Sequence, residues 1–188
     1  GIAGMSNLGR DYLNYIIQNL VELDSLADII IVDTGAGISD SVLEFLVASG
    51  EILLVTTPEP TSITDSYSLL KALSRHPRYD KESTSIKMIA NRVNKEEEGR
   101  GLFEKLNAVV ERYLKIPISY LGSIPQDDKL LKAVMQQTPV SLQNPTAKSS
   151  QAYEEMAYKL VNKDEVEKQP RRGMAAFFSH IVNARRMI

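Results

Sequence analysis

The chain has no cysteine, so it forms no disulfide and builds no thiolate metal site, a composition that fits a reducing cytoplasm. It has no tryptophan, and its only histidines, His76 and His180, are too far apart in sequence to suggest a shared site. No apolar run approaches the length of a membrane span, and the opening GIAGMSNLGRDY has none of the layout of a signal peptide. Neither a Gly-x-Ser-x-Gly elbow nor a His-Glu-x-x-His pair occurs, which removes the usual signs of serine-hydrolase and zinc-protease chemistry. A net charge of −2 supplies no basic field for nucleic acid. Because the first residue is glycine, the expectation is a processed, truncated or recombinant piece of a longer protein.

What is present is an ordinary globular composition: 188 residues, 43% hydrophobic and 24% charged, enough for one domain with a real core. Leu8, Tyr12, Leu13, Ile16, Ile17, Leu20 and Leu23 recur at helical spacing and predict an amphipathic helix. The run Ile29-Ile30-Ile31-Val32 predicts a strand buried on both faces, as at the centre of a parallel sheet. A helix over residues 39–48 follows, with Ser39 as cap, then a strand at 52–55 stopped by Pro58 and Pro60. Further helices are predicted over 62–74, 101–114, 129–136 and 147–161, and further strands at 86–90 and 118–121. The charged stretch 95–98 reads as a solvated helix start. This alternation predicts an α/β fold, a parallel sheet with helices on both faces. The domain is expected to span residues 1–163, a polar linker 164–172 and a separate C-terminal element 173–188.

In a parallel sheet the chemistry gathers beyond the carboxyl ends of the strands. Asp33 falls there after the first apolar run, followed by Thr34-Gly35-Ala36-Gly37. An aspartate so placed either holds a magnesium ion through water or caps the next helix. The later strands end in Thr57-Pro58-Glu59-Pro60, Asn91-Arg92-Val93 and Ile124-Pro125-Gln126-Asp127. Taken singly, Asn91 reads as a turn or cap residue, Asp127 as a helix N-cap and Glu59 as a solvated loop carboxylate.

As an ordered set over about residues 27–161, these loops resemble the MinD/ParA family of deviant-Walker P-loop ATPases. The wording DTGAGIS and TTPEPTSITDSYSLLK is most similar to the MinD-like flagellar-number regulators, the FlhG/FleN/YlxH group. The resemblance implies that Asp33 orders the water shell of Mg2+ and is the catalytic acidic residue, and that Gly35 and Gly37 belong to the switch that senses the γ-phosphate of ATP. It implies that Glu59 lies near the nucleotide and that Asp65 faces a partner subunit in an ATP-dependent homodimer. It further implies that the side-chain amide of Asn91 bonds the adenine edge, donating and accepting at once, with Pro125 and Asp127 in the loop packed against that base.

The family's glycine-rich loop running into Gly-Lys-Thr/Ser is not found in the 188 residues. The expectation is therefore a C-terminal portion whose first strand and phosphate loop lie upstream, in which this chain alone does not hydrolyse ATP and binds it weakly or not at all. A sheet lacking its first strand is expected to leave an unpaired edge or an exposed apolar face. A Gly-Lys-Gly-Gly-x-Gly-Lys-Thr loop in the upstream reading frame is the expected sign of a working ATPase.

At the other end, Met174, Phe177, Phe178, Ile181, Val182 and Ile188 share one face of a helical wheel, opposite Arg172, Ser179, Asn183 and Arg186. Arg171 and Arg185 fall on or beside the apolar side, where long stems snorkel. A short basic amphipathic helix after a polar linker reads as a reversible anchor on an anionic membrane surface. The alternative is a helix docked on its own domain or on a partner. The family resemblance supports the anchor, and implies a cytoplasmic protein that visits the inner face of the cell membrane and recruits flagellar assembly proteins. Two rivals remain open: a non-enzymatic partner- and membrane-binding module, and a partitioning ATPase of the ParA type, against which stands the absence of a basic stripe for DNA.

Overall fold

The computed structural model describes residues 26–162 together with Met174, Ala176 and Phe177. The helix expected within residues 8–23, the linker 164–172 and the rest of the C-terminal element lie outside the described residues.

Three of the four apolar runs form a sheet: β1 (Glu51–Thr56), β2 (Ser85–Val93) and β3 (Ser119–Pro125), in the order β1-β2-β3. Both pairings are parallel, with Ile52 opposite Ile86 and Met88 opposite Tyr120. Parallel neighbours need long crossovers, and helices supply them. The helices in chain order are α1 (Asp40–Ala48), α2 (Pro60–Ser74), α3 (Glu96–Leu114), α4 (Asp128–Met135), α5 (Val140–Gln143) and α6 (Lys148–Val161).

One sheet face presents Ile52, Leu54, Ile86, Met88 and Ala90 to α2 and α3, whose Leu70, Leu73, Leu102, Leu106 and Val110 complete the main core. The other face presents Ile89, Leu121 and Ile124 to Met156 of α6. Helices therefore cover both faces, as the alternation of elements predicts. On this second face α6 packs on β3, while Leu53 and Val55 of β1 remain exposed.

Local chemistry explains the helix ends. Pro60 opens α2, where its fixed φ and missing N–H cost nothing. Glu96, Glu97 and Glu98 crowd the first turn of α3 and favour its positive end. Glu98 also reaches back to accept from the Asn94 backbone N–H at 2.6 Å and from its side-chain amide at 3.1 Å. That is why α3 starts at Glu96 and not near residue 101. Ser39 stands at the N-cap of α1 as expected, but its hydroxyl makes no capping bond and lies 3.1 Å from that of Ser41. The four-residue α5 has too few residues to show a period, and the sequence reading passes over it.

The 29–32 run is a correction. It was expected as a strand buried on both faces, yet it joins no ladder, and Ile29 and Ile31 are 56% and 80% exposed. Branched aliphatics favour extended backbone, but a strand exists only by pairing. Among the described residues the outer edge of β1 has no partner either.

Candidate functional site

The carboxyl ends of β1 and β2 bring together residues that are far apart in the chain. Just past β1, Thr57 donates its hydroxyl to Glu59 at 2.5 Å, and its backbone N–H donates to Ser62 at 3.0 Å. Behind them the buried hydroxyls of Thr56 and Ser66 bond at 2.7 Å and lock the start of α2 to the strand. From β2, Arg92 reaches the Glu59 carboxylate at 3.3 Å. Arg92 takes a left-handed backbone, φ 58°, and is the extra residue between the Asn91–Ile124 and Val93–Pro125 pairings. A bulge of this kind bends a strand and re-aims its side chains. A non-glycine residue in that conformation is held only where its surroundings enforce it.

Asn91 sits at this bulge, half-buried, and its side-chain amide is engaged by no other described residue. A cavity of about 320 Å³ opens further on, bounded by Val93 at the end of β2, Asn94 after it, Ser123 and Pro125 of β3, and Lys148 and Gln151 of α6. That volume lies at the small end of the range for ligand sites. One wall is stiffened by Tyr120, whose hydroxyl lies 3.0 Å from Glu96 Oε1 and 2.5 Å from Ser123 Oγ. Burial, the largest cause, pushes the phenol of Tyr120 above its ordinary value. The helix comes this close because residue 99 is glycine: a Cβ there would stand 2.0 Å from Ser123 Oγ and 2.8 Å from the Tyr120 hydroxyl.

Asp127 is the N-cap of α4, accepting from the Lys129 N–H at 2.8 Å through Oδ1. Its other oxygen accepts from both the backbone N–H and the hydroxyl of Ser149, at 3.1 and 3.0 Å. The Ser149 N–H, foremost among these donors, holds the Asp127 carboxyl below its ordinary range. Both carboxylate oxygens are thus committed to joining the starts of α4 and α6, beside Pro125 and the cavity.

The remaining expected site residues stand apart. Asp33, Gly35 and Gly37 lie on the exposed segment before α1, where Asp33 makes no ion pair or hydrogen bond with a described residue and Gly37 has φ 108°. Asp65 is exposed on α2. Among the described residues no group of three His, Cys, Asp or Glu side chains converges for a metal ion. Asp33 is therefore joined by no such group among the described residues. Of the expected site residues, Pro125 lines the cavity, Asn91 lies two residues before its Val93 wall, and Asp127 follows Pro125 at the start of α4. Of the expected membrane face, Met174 and Phe177 are buried against Phe45 and Ala48 of α1, with the Phe45 and Phe177 rings stacked at 6.0 Å. Phe178, Ile181, Val182, Arg185 and Arg186 lie outside the described residues.

Three residues at the site were not singled out from sequence. Arg92 adjoins the Asn91 motif, but nothing local announces its left-handed backbone. Ser149 and Gly99 act only through partners far along the chain, and a glycine inside an otherwise helical stretch was the one available signal.

Compared with protein-family models, the chain matches none. Compared with individual proteins, it is 41% identical over 145 residues to the antiactivator FleN of Pseudomonas aeruginosa, covering 77% of this chain and 50% of that protein. It is 33% identical over 177 residues to the flagellum site-determining protein YlxH of Helicobacter pylori, covering 93% and 58% respectively. With a chloroplastic homologue of the septum site-determining protein MinD from Arabidopsis thaliana it shares 31% over 157 residues, covering 80% and 46%. The chain thus spans about half the length of these relatives. Among solved structures, the MinD cell division protein of Aquifex aeolicus superposes with a TM-score of 0.58 at 24% identity, over 86% of this chain and 64% of that one. A ParA-family ATPase from Chlorobium tepidum gives the same TM-score and identity over 85% and 60%.

Proposed function

The chain belongs to the MinD/ParA family of P-loop ATPases, and from that premise we propose that it is part of a MinD-like regulator of flagellum number or placement. The likeness to FleN and YlxH over most of the chain carries this reading. In its complete form the protein binds ATP with Mg2+, hydrolyses it, and dimerises. Its dimer meets the inner face of the cell membrane and recruits flagellar assembly proteins.

In this reading Asn91 recognises the adenine edge by donating and accepting at once, and Pro125 walls the base. Asp127 acts through its hold on Lys129 and Ser149, keeping the starts of α4 and α6 in place beside the base. Glu59 and Asp65 face the second subunit. In the complete protein Asp33 would hold Mg2+ through water and Gly35 and Gly37 would serve the γ-phosphate, and ATP with Mg2+ would supply the phosphoryl chemistry. The membrane anchor is the apolar face of residues 173–188, used reversibly. Because Met174 and Phe177 pack on Phe45 and Ala48, anchoring and docking compete for the same side chains.

Deletion of the gene in its source cell, with flagella counted and mapped by electron microscopy, tests the biological claim. Extra or misplaced flagella are expected, and an unchanged count and placement overturns it. At the site, ADP titrated into the complete protein is expected to shift the Ser123 amide resonance, and Asn91→Ala to abolish the shift. GDP acting equally well would overturn the adenine assignment.

A further inference from the structure

Three non-glycine residues have a left-handed backbone among the described residues: Arg92, Lys115 and Gln137. Lys115 and Gln137 close the C-terminal ends of α3 and α4, where that conformation is ordinary. Arg92, at φ 58°, is the one inside a strand. Its bulge also lies between parallel strands, where bulges are uncommon.

The burial pattern along β2 shows what the bulge does. Ile86, Met88 and Ala90 enter the main core, and Ile89 enters the second core on the opposite face. Strict alternation would send residue 92 into the main core and leave residue 93 on the second face. Instead Val93 enters the main core, 1% exposed, and Arg92 stays outside. A guanidinium in that core, which holds Leu102, Leu106 and Val110, would be an unpaired buried charge. Yet a chain lacking residue 92 would satisfy the core with no bulge at all. Val93 would then follow Asn91 directly and keep the alternation with Ala90. Core packing does not need the extra residue, so its strained backbone calls for another reason.

The reason lies at the strand ends. Past the bulge, the Val93 carbonyl accepts from the Gln126 backbone N–H at 2.9 Å, which fixes the exit of β2 against the loop 125–127. Before the bulge, Asn91 pairs with Ile124. The extra residue stands between these two fixed points and bends the strand there. We propose, on the reading of Asn91 as the adenine contact, that Arg92 is a positioning residue acting through its left-handed backbone and not its charge. The bulge sets the direction of the Asn91 amide relative to Pro125. The guanidinium is secondary: its partner Glu59 is also held by Thr57, and both members of the ion pair are more than half exposed, so the pair contributes little.

The test compares variants of the complete protein by ADP and GDP titration, with urea unfolding as a check on folding. Arg92→Gly and deletion of Arg92 both remove the guanidinium and differ only in whether the bulge residue is there. Glycine adopts the left-handed backbone freely, so Arg92→Gly should weaken ADP by no more than about threefold. The deletion should stay folded, weaken ADP by about tenfold or more and leave GDP nearly unchanged, because the loss falls on the base that Asn91 distinguishes. Arg92→Ile keeps the chain length, but its branched Cβ opposes the left-handed backbone. It should weaken ADP in the same direction by about threefold or more, and it decides the matter where the deletion does not fold. A wild-type protein with no preference for ADP over GDP overturns the adenine reading, and this role with it. With that preference present, the proposal alone is overturned by any of three results. These are a preference kept in both the deletion variant and Arg92→Ile, a preference lost as fully in Arg92→Gly as in the deletion, or ADP and GDP weakened together.

Discussion

The runs Ile29-Ile30-Ile31-Val32 and Ile52-Leu53-Leu54-Val55 are nearly interchangeable as sequence, each four aliphatics followed by a polar turn. Only the second is a strand. It pairs with β2 along six positions and lies beneath Leu70 and Leu73 of α2. The first has the same preference for extended backbone but pairs with no described residue. A strand is thus a property of an edge as much as of a sequence, and the residue beyond it inherits the difference. Glu59, past the paired run, is held by Thr57 and Arg92, whereas Asp33, past the unpaired one, is held by no described residue.

The largest effect that would sharpen this contrast lies in the core. Met88→Ala, at a fully buried position on β2, is expected to lower the unfolding free energy by roughly 2–5 kcal/mol in urea titration. Ile31→Ala should change it by no more than about 0.5 kcal/mol, and a loss like that of Met88→Ala would mean that the 29–32 run is buried after all.

A glycine pair comes next. Gly99→Ala drives a methyl into Ser123 Oγ and the Tyr120 hydroxyl, whereas a Cβ at Gly35 meets nothing within 4 Å. The crowding should cost about 1–2 kcal/mol, partly offset by better helix propensity. Gly35→Ala should be nearly silent, and equal melting shifts for the two variants would break the comparison.

The two aspartates give a smaller effect and a pH dependence. Asp127→Ala should cost about 1 kcal/mol or somewhat more, as for a lost N-cap, and Asp33→Ala close to none. Since the folded carboxyl of Asp127 lies below its ordinary value of 3.8, its contribution is complete above that pH. It is lost as pH falls through the lower folded value. Wild type and Asp127→Asn should therefore converge in urea midpoint on acidification. A gap that persists or widens would refute the assignment. Smallest of all, Glu59→Gln removes an ion pair between half-exposed side chains and should cost under about 1 kcal/mol, shrinking further in high salt. A larger, salt-independent loss would mean the pair holds the bulge in place.

What was legible in the sequence is what short-range pattern encodes. The strands at 52–55, 86–90 and 118–121 announced themselves as aliphatic runs bounded by turn residues. The buried stripe of α3 was readable from Leu102, Leu106 and Val110 four residues apart. Asn91, Pro125 and Asp127 could be placed near the carboxyl end of the sheet because each follows such a run. The bulge at Arg92 could not be read, since it arises from the register between β2 and β3. Nor could the grip of Asp127 on Ser149, which joins residues 22 positions apart.

By itself, then, the sequence determined the periodicities, the parallel α/β class, the family and the membership of each strand-end loop, because these depend on neighbours within a few residues. Only the tertiary structure decided which apolar run becomes a strand, which way Arg92 turns, and whether a carboxylate is committed or free. Those outcomes rest on contacts between distant segments. The same reason separates Asp127, clasped by two helix starts, from Asp33, a residue with an equally suggestive motif and no described partner.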